Sequence, residues 1–356
     1  MRTTLSRGGP AAAAAAVALL ALAAPSGADA AGAGPYQVRR LVSDQAGVAE
    51  HQDKDLVNSW GLTFGPGGDV WVADNGTGLS TLYDGDGTKS RLVVTIPQGA
   101  PTGTIFNSTG ALRVGSGRKS GPAVFLFASE AGIISGWQPA ADPTHALVGY
   151  AAKDGAIYKG IAVSGHGGTA RLYATDFHNG KVDVLDGGFR PVKVGGFTDA
   201  DIPEGYAPFG IRELRGRLFV TFAKQDQARE DDVRGAGLGF VDVFGADGKL
   251  LRRLVSRGAL DAPWGLAIAP KDFGPLSGDL LVGNFGDGRI NAYDPASGRP
   301  LGRLTSGGAP VVIDGLWGLS FGNGQADQPL RTLFFTSGPG DEKHGLYGRI
   351  DVTAKP

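Results

Sequence analysis

The chain of 356 residues contains no cysteine, and its only methionine is Met1. The absence of thiols excludes disulfide bonds, a cysteine nucleophile, thiolate metal sites and iron–sulfur clusters. A protein without disulfides must be stabilised by its apolar core and by closure of its fold.

Other signals are missing as well. The formal charge is −1, and no block of five or six like charges occurs, so neither nucleic acid nor an anionic lipid surface is expected as a partner. The sequence has no G-x-S-x-G, no H-E-x-x-H, no phosphate-binding loop and no complete G-x-G-x-x-G after a strand. These absences weigh against an enzyme without deciding the question.

The first 30 residues have the organisation of a Sec-type signal peptide. Arg2 and Arg7 precede an apolar stretch over residues 11–24, which is too short to span a bilayer. Ala28-Asp29-Ala30 matches a cleavage site, so we predict a secreted, extracytoplasmic protein with one mature domain over residues 31–356. No later apolar run reaches 18 residues, so no membrane anchor is expected.

What the chain has in abundance is glycine, with 60 residues, alongside 21 prolines and strand-length apolar runs. A phrase of three short strands recurs, each time opening on a glycine, and Gly160, Gly210, Gly265 and Gly318 are spaced by 50, 55 and 53 residues. A fourth strand follows most of these units. The pattern predicts an all-β, six-bladed β-propeller with four-stranded blades. The second repeat is degenerate, and its opening glycine is either Gly103 or Gly110.

The last unit lacks a fourth strand because the chain ends. The segment Arg39-Arg-Leu-Val-Ser43 repeats Arg252-Arg-Leu-Val-Ser256 letter for letter, and the latter is the fourth strand of its unit. We therefore predict that the N-terminal segment, about residues 36–44, completes the last blade and closes the ring.

Polar residues recur where second strands end and first strands begin, on one face of the predicted propeller. Carboxylates and amides around a narrow mouth suit Ca²⁺, or less readily Zn²⁺, although Asp and Asn at strand ends also form simple turns. No cofactor is certain, and both interpretations remain open. The candidate metal ligands are Asp74, Asp176, Asn284 and Asp314. The candidate mouth-binding residues are Asn58, Trp60, Asn75, Glu130, His178, Trp264 and Trp317.

Two further features bear on this face. The aromatic residues beside the repeat glycines either fill the space between blades or form a stacking platform at the mouth, the first being favoured. Polar insertions over residues 47–57 and 223–238 are expected on the same face, where Asp231 and Asp232 could add ligands. His51 and His344 could join His178 in a zinc site only if the fold brings all three together.

Several phrases carry a resemblance to known proteins. They include Asn58-Ser-Trp-Gly-Leu, Ala73-Asp-Asn-Gly-Thr-Gly, Tyr206-Ala-Pro-Phe-Gly-Ile, Ala262-Pro-Trp-Gly-Leu-Ala and Gly315-Leu-Trp-Gly-Leu-Ser-Phe. The chain resembles an uncharacterised family of secreted bacterial propeller proteins. It is more distantly similar to NHL-repeat and gluconolactonase or regucalcin-like propellers, which hold a divalent metal in the channel. That similarity implies a metal-ligand role only for Asp314.

The sequence thus favours an exported, non-enzymatic binding or scaffold propeller that presents one loop face to a protein or glycan partner, as a monomer. The alternative is a metal-dependent, lactonase-like hydrolase or lyase with its site at the channel mouth. A structural component of the cell envelope is a third interpretation. Carboxylates converging at the mouth would favour the enzyme, and separated turns would favour the binding module.

Overall fold

The computed structural model describes residues 35–353, which form six antiparallel sheets arranged as blades around a central axis. The chain is a six-bladed β-propeller, as predicted, and the described residues belong to one compact unit. The proposed signal peptide over residues 1–30 lies outside the described residues. Among residues 35–353, no helix has the length and apolar character needed to span a bilayer.

Each blade begins with an inner strand at the axis, and later strands follow outward. The bounds are, for blade 1, Ser59–Phe64, Val70–Asp74, Leu79–Tyr83 and Val94–Thr95; for blade 2, Pro101–Phe106, Phe125–Ser129, Ile133–Trp137 and Leu147–Ala151; for blade 3, Tyr158–Ser164, Arg171–Asp176 and Lys181–Asp186; for blade 4, Tyr206–Leu214, Arg217–Lys224, Gly239–Phe244 and Leu250–Ser256; for blade 5, Pro263–Ile268, Leu280–Asn284, Ile290–Tyr293 and Pro300–Arg303; and for blade 6, Leu316–Phe321, Leu333–Ser337, Leu346–Val352 and Tyr36–Ser43.

Blade 3 carries a single Leu185–Pro191 bridge where the others have a fourth strand. The loops also contain the two-residue strands His51–Gln52, Arg113–Val114, Gly121–Pro122, Thr305–Ser306 and Ala309–Pro310. They contain the short 3-10 turns Gly117–Lys119, Gly167–Thr169 and Gly274–Leu276 as well.

The N-terminal strand closes the ring, which confirms the prediction from the repeated Arg-Arg-Leu-Val-Ser segment. Tyr36–Ser43 pairs antiparallel with Leu346–Val352, the last of the described strands, from Tyr36 opposite Val352 to Ser43 opposite Leu346. The Tyr36 hydroxyl donates to the carbonyl of Phe273 (2.8 Å) and accepts from the amide of Leu276 (3.2 Å). Blade 6 is therefore built from both ends of the described chain and is tied to blade 5.

Glycine on each inner strand lets neighbouring blades approach at the axis. A Cβ on any of these glycines would lie 2.9 Å or closer to a backbone atom of the next blade. Real Cβ atoms essentially never approach so closely, so a larger residue would force the strands apart. The ring consists of Gly61, Gly103, Gly160, Gly210, Gly265 and Gly318. The second repeat therefore opens on Gly103. Gly110 lies in a turn with φ +70° instead.

Apolar side chains fill the space between each pair of neighbouring blades and form six separate clusters. Between blades 1 and 2, for example, Trp71 stacks on Phe125 at 4.1 Å between ring centroids. A seventh cluster lies on the axis and involves aromatic residues from blades 1, 3, 4, 5 and 6. Burial of apolar surface in these clusters is what stabilises a disulfide-free ring.

Candidate functional site

Six polar side chains form a continuous chain of hydrogen bonds across one end of the axis. They come from five neighbouring blades, beginning in blade 6 and passing through blades 1, 2 and 3 to blade 4. In order they are Glu342, Asn58, Asn75, Glu130, Lys159 and Asp231. We call this set the mouth network. It joins three of the predicted mouth residues, Asn58, Asn75 and Glu130, through their side chains.

Asn58 is central to the mouth network because its backbone and its side chain both have a role. The residue directly before the inner strand has a positive φ in five blades, and in blade 1 this residue is Asn58, with φ +49°. Asparagine tolerates this left-handed conformation better than most residues. Its side-chain nitrogen Nδ2 donates to Asn75 Oδ1 (3.2 Å) and Glu342 Oε1 (3.3 Å). Asn75 in turn donates to Glu130 Oε2 (2.9 Å).

Lys159 provides the single cation of the mouth network, and its side chain is only 1% exposed. Its Nζ lies 2.5 Å from Glu130 Oε1, 3.1 Å from Asp231 Oδ1 and 5.1 Å from the centre of the Trp60 ring. Burial opposes the charged ammonium, but the attraction of Glu130 and Asp231 outweighs it and raises the pKa of Lys159. Lys159 therefore stays protonated and serves as a fixed positive charge, which excludes it as a nucleophile near neutral pH.

Aromatic side chains close the axis below the mouth network. Trp317 is stacked between Trp60 (3.5 Å between centroids) and Phe285 (3.9 Å), and Trp264 meets Trp60 edge-on at 6.2 Å. Trp60 and Trp317 are 2% and 1% exposed, so neither offers an open face for stacking a ligand. These rings belong to the core, as the favoured interpretation had it, but they pack on the axis and not between blades. We call them the aromatic plug.

Above the plug lies an open pocket of about 420 Å³. Its wall is hydrophilic and acidic, with four carboxylates and two amides. The lining residues are Asn58, Trp60, Asn75, Glu130, Ile157, Glu230, Asp231 and Glu342. We call it the mouth pocket. With Lys159 as the only cation of the mouth network, negative charge predominates.

Two carboxyl groups at this end of the axis have raised pKa values. Burial raises the pKa of Glu342, against the opposing effect of its hydrogen bond from Asn58. Burial also raises the pKa of Asp232 to about 7, although Arg234 and Lys159 pull it down. Oδ2 of Asp232 is buried without a hydrogen-bond partner. The buried indole Nε1 of Trp60 and Oδ1 of Asn58 also have none, which leaves unused hydrogen-bonding capacity among residues that line the mouth pocket.

The four candidate metal ligands make local hydrogen bonds in four different blades. Asp74 accepts from the amide and hydroxyl of Thr81, and Asp176 accepts from the side chain of Asn179 (2.7 Å). Asn284 donates to Asp287 (2.9 Å), while the exposed Asp314 accepts from the amide of Gly340 (2.9 Å). Within residues 35–353, no group of three or more His, Asp and Glu has the geometry to hold a metal ion. The Ca²⁺ site accordingly stays a prediction.

The histidines are separated in the same way. His344 pairs with Asp44 at 2.8 Å, and His51 is exposed in a two-residue strand. His178 is half-buried, and its carbonyl, with that of Phe177, accepts from the side chain of Gln225. His178 is not among the residues that line the mouth pocket. The zinc alternative gains no support from this arrangement.

Glu342 and the role of Lys159 were missed by the sequence interpretation. Glu342 lies in the loop between the second and third strands of blade 6, and the insertion that supplies Glu230 and Asp231 occupies the corresponding loop of blade 4. Corresponding loops of different blades reach the same face of a propeller. This correspondence, together with the acidic Gly340-Asp-Glu342 segment, was the available signal.

Three uncharacterised proteins of Acanthamoeba polyphaga mimivirus are similar to this chain in sequence. One is 36% identical over 332 residues, covering 88% of this chain and 80% of the relative. A second is 34% identical over 299 residues, covering 80% and 78%. No family model matches the chain. The relatives are viral, so the expected membership of a secreted bacterial family stays a prediction.

Among solved structures, a streptogramin B lyase superposes with a TM-score of 0.51 at 10% identity and covers 89% of this chain and 98% of its own. A virginiamycin B lyase from Staphylococcus aureus covers 89% and 100%, at 12% identity and a TM-score of 0.48. At such identity the first likeness supports the propeller fold alone.

Proposed function

Because the chain belongs to the same family of proteins as these uncharacterised mimivirus relatives, whose names carry no activity, we propose a function from its own geometry. We propose that it is a non-enzymatic binding propeller, exported and monomeric, whose mouth pocket receives a positively charged side chain of a protein partner. The observation that supports this proposal is the mouth pocket itself, which holds four carboxylates in about 420 Å³.

The charges of the mouth network favour a cationic group. Lys159 is already paired with Glu130 and Asp231 inside the wall, whereas Glu230 is exposed and Asp231 keeps 71% of its side chain exposed. A guanidinium group offers five N–H donors in a planar fork that matches carboxylates. An arginine side chain entering the mouth pocket would meet acceptors of the right charge on several sides.

A glycan is the less favoured partner. Sugar recognition commonly uses an open aromatic face, and the rings of the aromatic plug are packed against one another. Trp60 reaches the mouth pocket while only 2% exposed. The pocket therefore offers hydrogen bonding and negative charge but little apolar stacking surface.

The test is fluorescence anisotropy with a labelled tetra-arginine peptide, compared with its neutral isostere tetra-citrulline. We expect saturable binding of the arginine peptide, weaker binding at high salt, and no binding of the citrulline peptide. The variant Glu230→Gln/Glu342→Gln should weaken binding at least fivefold. The matched control Glu213→Gln/Asp272→Asn, which also removes two carboxylates but from residues outside the mouth pocket, should bind as the wild type does.

Equal affinity of the wild type and the double variant would contradict the proposal. Binding to a glycan array that the double variant abolishes, without arginine-peptide binding, would replace the protein partner by a glycan. Export rests on the sequence of residues 1–30 and is tested by N-terminal sequencing of the protein from the medium of an expressing cell, which should begin at Ala31.

A second candidate is a hydrolase or lyase with its site at the same mouth. The specific observation in its favour is Asp232, which follows the pocket-lining Asp231, has a buried Oδ2 without a hydrogen-bond partner, and has its pKa raised by burial to about 7, a value that suits a general acid or base near neutral pH. The test is a panel of lactones assayed with Ca²⁺ and with a chelator. Turnover that Asp232→Asn removes would favour the enzyme over the binding module.

A further inference from the structure

A small cavity lies on the axis, and all six blades line it. Its volume is about 70 Å³, which is room for about two water molecules at roughly 30 Å³ each. The wall is made mostly of inner-strand glycines and of aliphatic side chains, among them Leu62, Ile161, Ile211 and Leu319. Arg212 is the one charged residue in this lining. We call this space the axial cavity.

Arg212 crosses the axis from blade 4 to blade 6. Its two terminal nitrogens donate to the carbonyl of Leu319 (2.6 Å) and to the hydroxyl of Ser320 (2.8 Å). Both acceptors are uncharged. None of the ion pairs found among residues 35–353 includes Arg212. Its neighbour Glu213 instead accepts a hydrogen bond from the amide of Gly216 at the tip of the hairpin.

The electrostatics of Arg212 are consequently unbalanced. Burial lowers its pKa to about 10, and Glu213 offsets this only in part. A guanidinium has five N–H donors, and two of them are used by Leu319 and Ser320. The Arg212 side chain is half-buried, and a charge withdrawn from water in this way is stabilised when a counter-charge or further hydrogen bonds compensate it. The axial cavity beside Arg212 has the volume for such a counter-charge.

We propose that the axial cavity is a binding site for a small monovalent inorganic anion, of which chloride is the common example, held by the guanidinium of Arg212. The aliphatic wall suits an ion that sheds its water readily, and a space of about 70 Å³ fits a small inorganic anion better than an organic anion such as gluconate. The anion would complete the contact between blades 4 and 6 across the axis. This site is separate from the mouth pocket, which is acidic and would repel an anion.

The test is a chloride titration followed by thermal melting, with sodium gluconate replacing sodium chloride at fixed ionic strength. A ligand that binds the native state alone raises Tm as its concentration passes Kd. We expect Tm to rise with chloride in the wild type, with bromide and nitrate acting in the same way. In Arg212→Met, which keeps the apolar stem, the rise should be lost. Arg217→Gln loses the same charge outside the axial cavity and should retain the rise.

A Tm that is equal in chloride and gluconate would overturn the proposal, and so would an equal rise in Arg212→Met. If Arg212→Met does not fold, bromide-soaked crystals of the wild type decide the matter. An anomalous peak beside the Arg212 guanidinium is the expected result, and featureless anomalous density there overturns the proposal.

Discussion

Nζ of Lys159 lies 2.5 Å from Oε1 of Glu130, joining blade 3 to blade 2 at the axis. The Lys159 side chain is 1% exposed and that of Glu130 is 29% exposed, so the pair is largely removed from water. A buried ion pair of this kind is weak evidence of net stabilisation, because the desolvation penalty of the two charges offsets much of their electrostatic attraction. Removing one partner alone is strongly destabilising, because the remaining charge is then buried without a partner.

This asymmetry gives the first prediction. Glu130→Gln should lower the free energy of unfolding by about 3 kcal/mol, the low end of the usual range because Asp231 still pairs with Lys159. The double variant Lys159→Met/Glu130→Gln should recover most of this loss, since no unpaired buried charge remains. Urea unfolding of the two variants measures both effects. A double variant as unstable as Glu130→Gln would show that packing, and not charge, dominates.

Much of the fold could be predicted because each strand's sequence is a local signal that repeats. The closing strand was predictable because Arg39–Ser43 copies the fourth strand of another blade. The choice between Gly103 and Gly110 was not, since both are glycines in a degenerate repeat. The structure distinguishes them by the contact of Gly103 with the backbone of Ile161 and by the left-handed turn at Gly110.

The site was less predictable than the fold. Polar residues at strand ends mark the mouth, but the side-chain direction of each one depends on its own blade. Asp74, Asp176 and Asn284 are fully buried within their blades, whereas Asn58 and Glu130 turn to neighbouring blades. The pairing of Lys159 with Glu130 depends on which blades are adjacent, and a single strand's sequence does not contain that information.

The glycine ring gives the second prediction. Gly103→Ala should destabilise the protein by about 1–3 kcal/mol, because its Cβ would lie 2.9 Å from the amide nitrogen of Ile161 in the next blade. Gly168→Ala is the matched control, since nothing lies within 4 Å of its Cβ position and its φ is not positive. Thermal melts of both variants measure the difference in stability. Equal melting temperatures would mean that the inner strands can move apart without cost.

Closure of the ring gives the third prediction. Tyr36→Phe removes the hydroxyl that bonds Phe273 and Leu276 and should cost about 1–3 kcal/mol, because the buried partners lose their hydrogen bonds. Deleting residues 36–44 should lower Tm much further, as the last blade loses its outer strand. A deletion that melts like the wild type would show that the N-terminal strand does not stabilise the propeller.

The predicted metal site gives the fourth prediction. Asp74, Asp176 and Asn284 already make hydrogen bonds inside their own blades, so we expect residues 31–356 to melt at the same temperature in excess Ca²⁺ and in EDTA. A specific site would instead raise stability by about 2.7 kcal/mol at a hundredfold excess over Kd. A calcium-dependent rise that Asp176→Asn abolishes would support the metal prediction and the lactonase alternative with it.

A pair of carboxylates in blade 4 gives the fifth prediction. Asp242 is fully buried on the strand Gly239–Phe244, and burial together with the nearby charge of Asp199 raises its pKa to about 7. Asp199 is paired with Arg253, whose Nε donates to its Oδ2 at 2.7 Å. Neither oxygen of Asp242 has a hydrogen-bond partner as an acceptor. A protonated Asp242 can donate to Asp199, which accounts for this arrangement.

The sign of the effect follows from proton linkage. Between about pH 4 and pH 7 the native protein keeps a proton on Asp242 that the unfolded chain has released, so this group makes unfolding easier as the pH rises through that window. The full shift from 3.8 to about 7 corresponds to about 4 kcal/mol at most. Asp242→Asn keeps a neutral donor at every pH, so its Tm should fall less than that of the wild type between pH 5 and pH 8. The exposed control Asp272→Asn should show the same fall in Tm as the wild type. If Tm falls as much in Asp242→Asn as in the wild type between pH 5 and pH 8, Asp242 is ionised in the native protein throughout this range.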